Sequence, residues 1–112
     1  MREILLLSKR LIKAKEFERI ALTNNINFED LKDGYVKLYN SQDDYIDIYL
    51  DSRDEKGKPE SLEDTLEIYK SIKLPFPRPY LTSLQVNLDT TNLIDIIINN
   101  LDCTKNEIYV DY

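Results

Sequence analysis

The sequence predicts an α/β (α+β) protein, built as a single mixed β-sheet of about four strands packed with three helices. Two observations predict this class: apolar residues alternate with polar ones in several short segments, and they recur at helical spacing in three others. The predicted order along the chain is α-β-β-α-β-α-β. A length of 112 residues fits one domain covering residues 1–112.

The first element is predicted to be a helix over residues 2–23, which are good helix formers without glycine or proline. Apolar side chains recur there on one stripe at a spacing of about 3.6 residues. A competing interpretation makes Ile4 to Leu7 a short buried strand followed by a helix from Ser8, because a four-residue apolar run fits either structure. The single helix is the favoured prediction.

The next two elements are predicted to form an antiparallel hairpin. Asp33-Gly34 indicates a turn, and residues 35–39 then alternate apolar with polar side chains. A second alternation covers residues 45–51, and the polar residues 40–43 between the two runs are typical of a loop. Each strand therefore has one apolar face.

The middle of the chain contains a predicted loop, helix and connector. Residues 51–60 are polar and include Gly57 and Pro59, which predicts a mobile loop. Residues 61–72 combine a capping signal with helical spacing of apolar side chains, which predicts a helix. Proline occupies every second position over residues 75–79, and this spacing favours an extended connector.

The last third predicts a strand, a helix and a strand. Alternation from Tyr80 to Leu88 gives a strand with one apolar face, and Thr90 or Thr91 then caps a short helix. Residues 107–112 alternate again and form the closing strand. This β-α-β unit would be parallel and right-handed if its strands share a sheet through the helix, which gives the predicted mixed sheet.

Residue types that most small enzymes need are missing, and the chain is predicted not to be an enzyme. Histidine is absent, which removes the usual base at neutral pH and, with Cys103 as the single cysteine, ordinary zinc sites. Gly34 and Gly57 do not have the spacing of a phosphate-binding loop. No catalytic residue, cofactor or metal is predicted.

The chain is predicted to work in the cytoplasm. Its apolar runs are much shorter than the roughly 20 residues of a membrane helix. The apolar run Ile4 to Leu7 is too brief for a signal peptide, and a single cysteine fits a reducing compartment.

Charge is distributed unevenly along the sequence. Residues 1–22 contain six basic and three acidic side chains, whereas residues 43–67 contain three basic and ten acidic ones. An acidic surface of this density repels nucleic-acid phosphates and attracts cationic proteins. We therefore expect a basic protein partner and no direct binding of nucleic acid or membrane.

The candidate partner-binding surface lies in the acidic segment, where tyrosine and aspartate alternate. Tyrosine supplies rigid contact area and aspartate accepts hydrogen bonds from arginine, as in many interface hot spots. The alternatives are that helices cover the rings, and that the carboxylates, including Asp43 and Asp44, are simply solvated. Tyr35 and Tyr39 on the neighbouring strand extend the surface, whose predicted residues are Tyr45, Asp47, Tyr49, Asp51, Asp54 and Glu55.

The last third also has a resemblance to a known group of proteins. The segments Pro79 to Val86, Leu93 to Ile98 and Ile108 to Tyr112, in a small acidic α/β chain, resemble immunity proteins of bacterial contact-dependent growth inhibition and polymorphic toxin systems. The resemblance implies a protein that binds a toxin domain, often a nuclease, and blocks its active site or a surface beside it. It supplies no residue signature.

These observations predict an immunity protein that blocks the basic cleft of a toxin nuclease sterically and electrostatically. Asp47 and Asp51 would pair with arginine or lysine, while Tyr45 and Tyr49 fill pockets. The alternative is a structural or assembly module, as a homo-oligomer or a phage-encoded inhibitor, that uses the same surface. The oligomeric state stays open.

Overall fold

A computed structural model describes residues 2–51, 80–103 and 105–111. These residues form six strands and two helices. The predicted helix over 61–72 and connector over 75–79 lie outside the described residues, as does the predicted loop beyond Asp51. The elements are β1 (Arg2–Ser8), α1 (Ala14–Asn24), β2 (Asn27–Asp30), β3 (Tyr35–Tyr39), β4 (Tyr45–Tyr49), β5 (Tyr80–Val86), α2 (Leu93–Leu101) and β6 (Ile108–Asp111).

The six strands form one sheet in the order β2-β3-β4-β5-β1-β6, and every neighbouring pair is antiparallel. The α+β class and the β3–β4 hairpin are confirmed, whereas the expected count of about four strands is wrong. The mixed sheet is also wrong. β5 and β6 run in the same direction, but β1 lies between them and pairs with both, so no parallel ladder forms.

The prediction of one helix over residues 2–23 is wrong, because Arg2–Ser8 form β1, an interior strand of the sheet, and α1 begins only at Ala14. The alternative with a strand over Ile4 to Leu7 is correct in its strand, although its helix starts too early. Ile4 and Leu6 are fully buried on one side of the sheet and Leu7 on the other. An apolar run suits a strand with ladders on both sides, and this pairing overrides local helix preference.

Both described helices pack against the same face of the sheet. Phe17 and Ile20 of α1 and Leu93 and Ile97 of α2 belong to one buried cluster. Their partners from the strands are Ile4, Leu6, Val36, Leu38, Ile46, Ile48, Leu84, Val86 and Ile108. The period of two places these strand residues on a single face, so their neighbours in sequence point to the opposite one.

Polar groups define the beginnings of the helices. The Glu16 carboxylate accepts a hydrogen bond from the Lys13 amide at 2.8 Å, ahead of α1. The N-cap of α2 is Asn92 and not Thr90 or Thr91 as predicted, but Thr91 Oγ1, one residue earlier, accepts a hydrogen bond from the Leu93 amide at 3.1 Å. Neither helix in the described part of the chain has the length and apolar content needed to cross a membrane.

Candidate functional site

The sheet face opposite the two helices presents a group of tyrosines on the β3–β4 hairpin. The hairpin alternates strictly: Val36, Leu38, Ile46 and Ile48 are buried under the helices, and the residues between them point away. We call this second set the tyrosine face; it consists of Tyr35, Lys37, Tyr39, Tyr45, Asp47 and Tyr49. Neither described helix covers these rings, because both belong to the core on the other side.

Two of the tyrosines form a stacked pair. Tyr35 and Tyr49 are directly opposite in the ladder, with ring centroids 4.7 Å apart and ring planes inclined by 21°. Such pairs contribute about 0.5–1.5 kcal/mol beyond the burial of their area. Tyr49 nevertheless keeps 48% of its surface exposed, so the outer side of the pair offers rigid contact area.

Next to the stacked pair, a lysine and an aspartate face each other across the hairpin. Lys37 and Asp47 are ladder partners, yet they do not form an ion pair with each other. The Lys37 Nζ instead lies 4.3 Å from the centroid of the Tyr45 ring, a cation–π contact. The tyrosine face therefore already holds one cation against an aromatic ring.

Asp47 is incompletely satisfied. Its Oδ1 atom is buried and has no hydrogen-bond partner in the structure. A buried acceptor without a donor costs about 1–3 kcal/mol, and such atoms are uncommon in folded proteins. Burial raises the pKa of the Tyr35 hydroxyl above its usual range, and the neighbouring Asp47 carboxylate raises it further, so Tyr35 stays protonated at neutral pH.

The Lys37–Asp47 row continues across the sheet. On one side, Glu29 of β2 is the ladder partner of Lys37. On the other side, Asp47 pairs with Gln85 of β5, which in turn pairs with Glu3 of β1. Glu3 Oε2 accepts hydrogen bonds from Gln85 Nε2 and, at 3.1 Å, from the Ser83 hydroxyl. The polar side chains beyond Asp47 are thus bonded to one another.

The structure separates the predicted binding residues into three groups. Tyr45, Asp47 and Tyr49 lie together on the tyrosine face. Asp51 follows β4, and its Oδ2 accepts a hydrogen bond from the Leu81 backbone amide at 2.7 Å, linking the end of β4 to the start of β5. Asp54 and Glu55 lie outside the described residues.

The remaining acidic residues of the hairpin belong to its turn. Asp44 accepts a hydrogen bond from Asn40 Nδ2 at 2.9 Å, and its amide donates to the Ser41 hydroxyl at 3.1 Å. The exposed Asp43 receives a bond from Asn87 Nδ2 on its backbone oxygen. Within residues 2–51, 80–103 and 105–111, no group of three or more acidic or cysteine side chains is arranged to hold a metal ion.

A shallow polar cavity lies on the helical side, where α1 meets the end of α2. Arg10, Glu16 and Arg19 line it together with Asn100 and Asn106. Arg10 bonds Glu16 at 2.7 Å, and Asn106 Nδ2 donates to the Leu101 carbonyl at 2.6 Å. These groups hold the start of α1 and the end of α2 in place, which accounts for their polarity.

Sequence reasoning did not identify Lys37 or Gln85 as members of the site. Lys37 could have been found from the hairpin, because a five-residue connection between Tyr39 and Tyr45 sets Lys37 opposite Asp47. Gln85 could not have been found from the sequence, because its position beside Asp47 depends on the pairing of β4 with β5.

Comparisons with protein-family models, with curated proteins and with solved structures find no match to this chain.

Proposed function

We propose that this chain is a non-catalytic immunity protein of the cytoplasm that binds and neutralises a cognate bacterial toxin domain, in keeping with the resemblance of its last third. The observation that supports the proposal most directly is the tyrosine face. It combines the stacked Tyr35–Tyr49 pair, half-exposed on its outer side, with the carboxylate of Asp47 in the middle of the hairpin. Rigid aromatic area around a charged acceptor is typical of binding hot spots.

Charge supports a basic partner. The chain has a net charge of −6, and the acidic side chains are concentrated in residues 43–67. A toxin nuclease needs a cationic cleft to bind nucleic acid, and an acidic protein that covers this cleft blocks the substrate sterically and electrostatically. The association rate should then fall as salt concentration rises, because steering between opposite charges is screened.

The experiment that tests the proposal is affinity capture from the native host, followed by growth protection. Tagged wild type is compared with Tyr49→Ala and with the control Tyr109→Ala, since the two tyrosines are similarly exposed at 48% and 40% on the same face. We expect wild type and Tyr109→Ala to capture one basic protein whose expression stops growth, and to restore growth when co-expressed. Tyr49→Ala should lose both effects. Capture of no such protein, or equal protection by Tyr49→Ala, would contradict the proposal.

A second candidate function is self-assembly through the same face. The ladder sets Lys37 beside Asp47, so two copies that dock face to face about a two-fold axis would oppose lysine with aspartate twice. Light scattering coupled to size-exclusion chromatography separates the two candidates. A wild-type dimer that becomes a monomer in Lys37→Glu would favour assembly over toxin binding.

A further inference from the structure

The Asp47 carboxylate and its tyrosine neighbours have the composition of a site for a single cationic side chain. We propose that they accept an arginine of the protein partner, whose guanidinium group stacks on Tyr49 and donates to Asp47. This inference rests on the proposed function only in assuming that the occupant belongs to a protein. It adds the identity of the recognised group.

The first argument is the unsatisfied acceptor. Asp47 Oδ1 is buried without a hydrogen-bond partner, as is Asp44 Oδ1 in the turn of the hairpin, whereas Asp51 accepts a bond from the Leu81 amide. A buried carboxylate oxygen is normally paired with a donor, and a charged donor gives the strongest pairing. Of these two open acceptors, Asp47 Oδ1 is the one on the tyrosine face, between Tyr45 and Tyr49.

The second argument is the arrangement of the rings. Tyr45 and Tyr49 flank Asp47 along β4, and residues two apart on one side of a strand are separated by about 6.6 Å. A side chain that reaches the carboxylate from outside therefore comes close to a tyrosine ring. Tyr49, at 48% exposure, is the open side of this approach, because the Lys37 ammonium already occupies the Tyr45 ring.

The third argument concerns the choice between arginine and lysine. A guanidinium group is planar, weakly hydrated and able to stack on an aromatic ring while it donates sideways to a carboxylate. An ammonium group is a compact and strongly hydrated charge that cannot make both contacts in this way. The combination of a stacked tyrosine pair with an adjacent carboxylate thus favours arginine.

Lys37 is the internal competitor of the incoming arginine. It lies directly across from Asp47 and has a long flexible side chain, so it can move aside when a donor approaches Oδ1. Its charge opposes a second cation on the face. Removal of this charge should therefore strengthen arginine binding, whereas removal of the Asp47 charge should abolish it.

The test uses Nα-acetyl-arginine amide as the probe and follows the side-chain carboxyl carbons by NMR. We expect a saturable shift at Asp47 and at the Tyr49 ring, and no such shift at the exposed control Asp43. Nα-acetyl-lysine amide should bind several-fold more weakly. Lys37→Met should tighten arginine binding about two- to five-fold, the range of an exposed charge interaction. Asp47→Asn, which preserves shape, should eliminate the response of the Tyr49 ring, and Asp43→Asn should preserve it.

Two outcomes would overturn the inference. One is equal, non-saturating shifts at Asp47 and Asp43. The other is a Lys37→Met protein that is less stable but binds the probe no better, which would make Lys37 the intended partner of Oδ1. Because the titration needs no toxin, its failure is distinguishable from failure of the proposed function. If the probe binds but no toxin is captured, the proposed function is refuted and the arginine site is not.

Discussion

Replacement of Asp51 by alanine should destabilise the fold, although the residue belongs to the predicted binding surface. Asp51 Oδ2 accepts the Leu81 backbone amide at 2.7 Å in a partly buried setting. Loss of a hydrogen bond to a charged group costs about 1.5–3 kcal/mol. The Leu81 amide would then lack this acceptor where β5 begins, so we expect a loss of about 2 kcal/mol.

The expected loss converts directly into a melting temperature. For 112 residues, an unfolding entropy of about 2.1 cal/mol/K per residue predicts that a loss of about 2 kcal/mol lowers Tm by about 8 °C. Urea denaturation followed by circular dichroism supplies the free energy, and a thermal scan supplies Tm. Asp51→Asn keeps an acceptor oxygen without the charge, so its loss should be about half as large.

The control is Asp43→Ala, which removes an exposed carboxylate from the turn of the same hairpin. Surface changes of this type usually alter stability by less than about 0.5 kcal/mol. If Asp51→Ala proves as stable as Asp43→Ala, the bond to Leu81 does not hold β4 to β5, and the expected structural role of Asp51 is refuted.

Three further predictions concern the core and the titrating groups. Phe17 is fully buried, so Phe17→Ala should cost about 3–5 kcal/mol in urea denaturation, and a loss below about 1 kcal/mol would contradict its place in the core. Because the pKa of Tyr35 is raised in the folded protein, the unfolded chain loses the Tyr35 proton at a lower pH than the folded protein does. The free energy of unfolding should therefore fall as pH rises above about 10, and it should fall less steeply in Tyr35→Phe. Equal slopes in the two proteins would refute this. Burial and the Asp102 charge raise the pKa of the Cys103 thiol, so a disulfide reagent should react slowly in the native protein and rapidly in urea. Fast reaction in the native state would show that Cys103 is accessible.

The parts of the fold that depend on local patterns could be predicted from the sequence. The alternation over residues 35–39 and 45–49 predicted the hairpin and placed the tyrosines on one side of it. The threonines at 90 and 91 and the apolar spacing after them predicted α2, although its N-cap is Asn92. These signals lie within a few residues of the structure they specify, so no knowledge of the rest of the chain is needed.

The parts of the fold that depend on pairing between distant segments could not be predicted from the sequence. β1 was assigned to a helix because its partners, β5 and β6, lie near the other end of the chain, and the ladder with them decides its conformation. β2 was missed because the segment Asn27–Asp30 is short and mostly polar, and its strand conformation depends on β3. The sheet order followed from neither composition nor spacing.

Asp47 in β4 and Asp51 just after it show that the roles of single side chains also depend on distant pairing. Asp47 and Asp51 occupy equivalent positions in the alternating pattern, and the sequence predicted the same role for both. Asp51 meets a backbone donor thirty residues away, whereas Asp47 Oδ1 meets none. A double substitution would therefore mix a loss of stability with a loss of binding. Single substitutions separate the two roles. If Asp47 binds the partner and Asp51 joins the strands, Asp47→Asn weakens binding without lowering stability, and Asp51→Asn lowers stability while the folded fraction still binds.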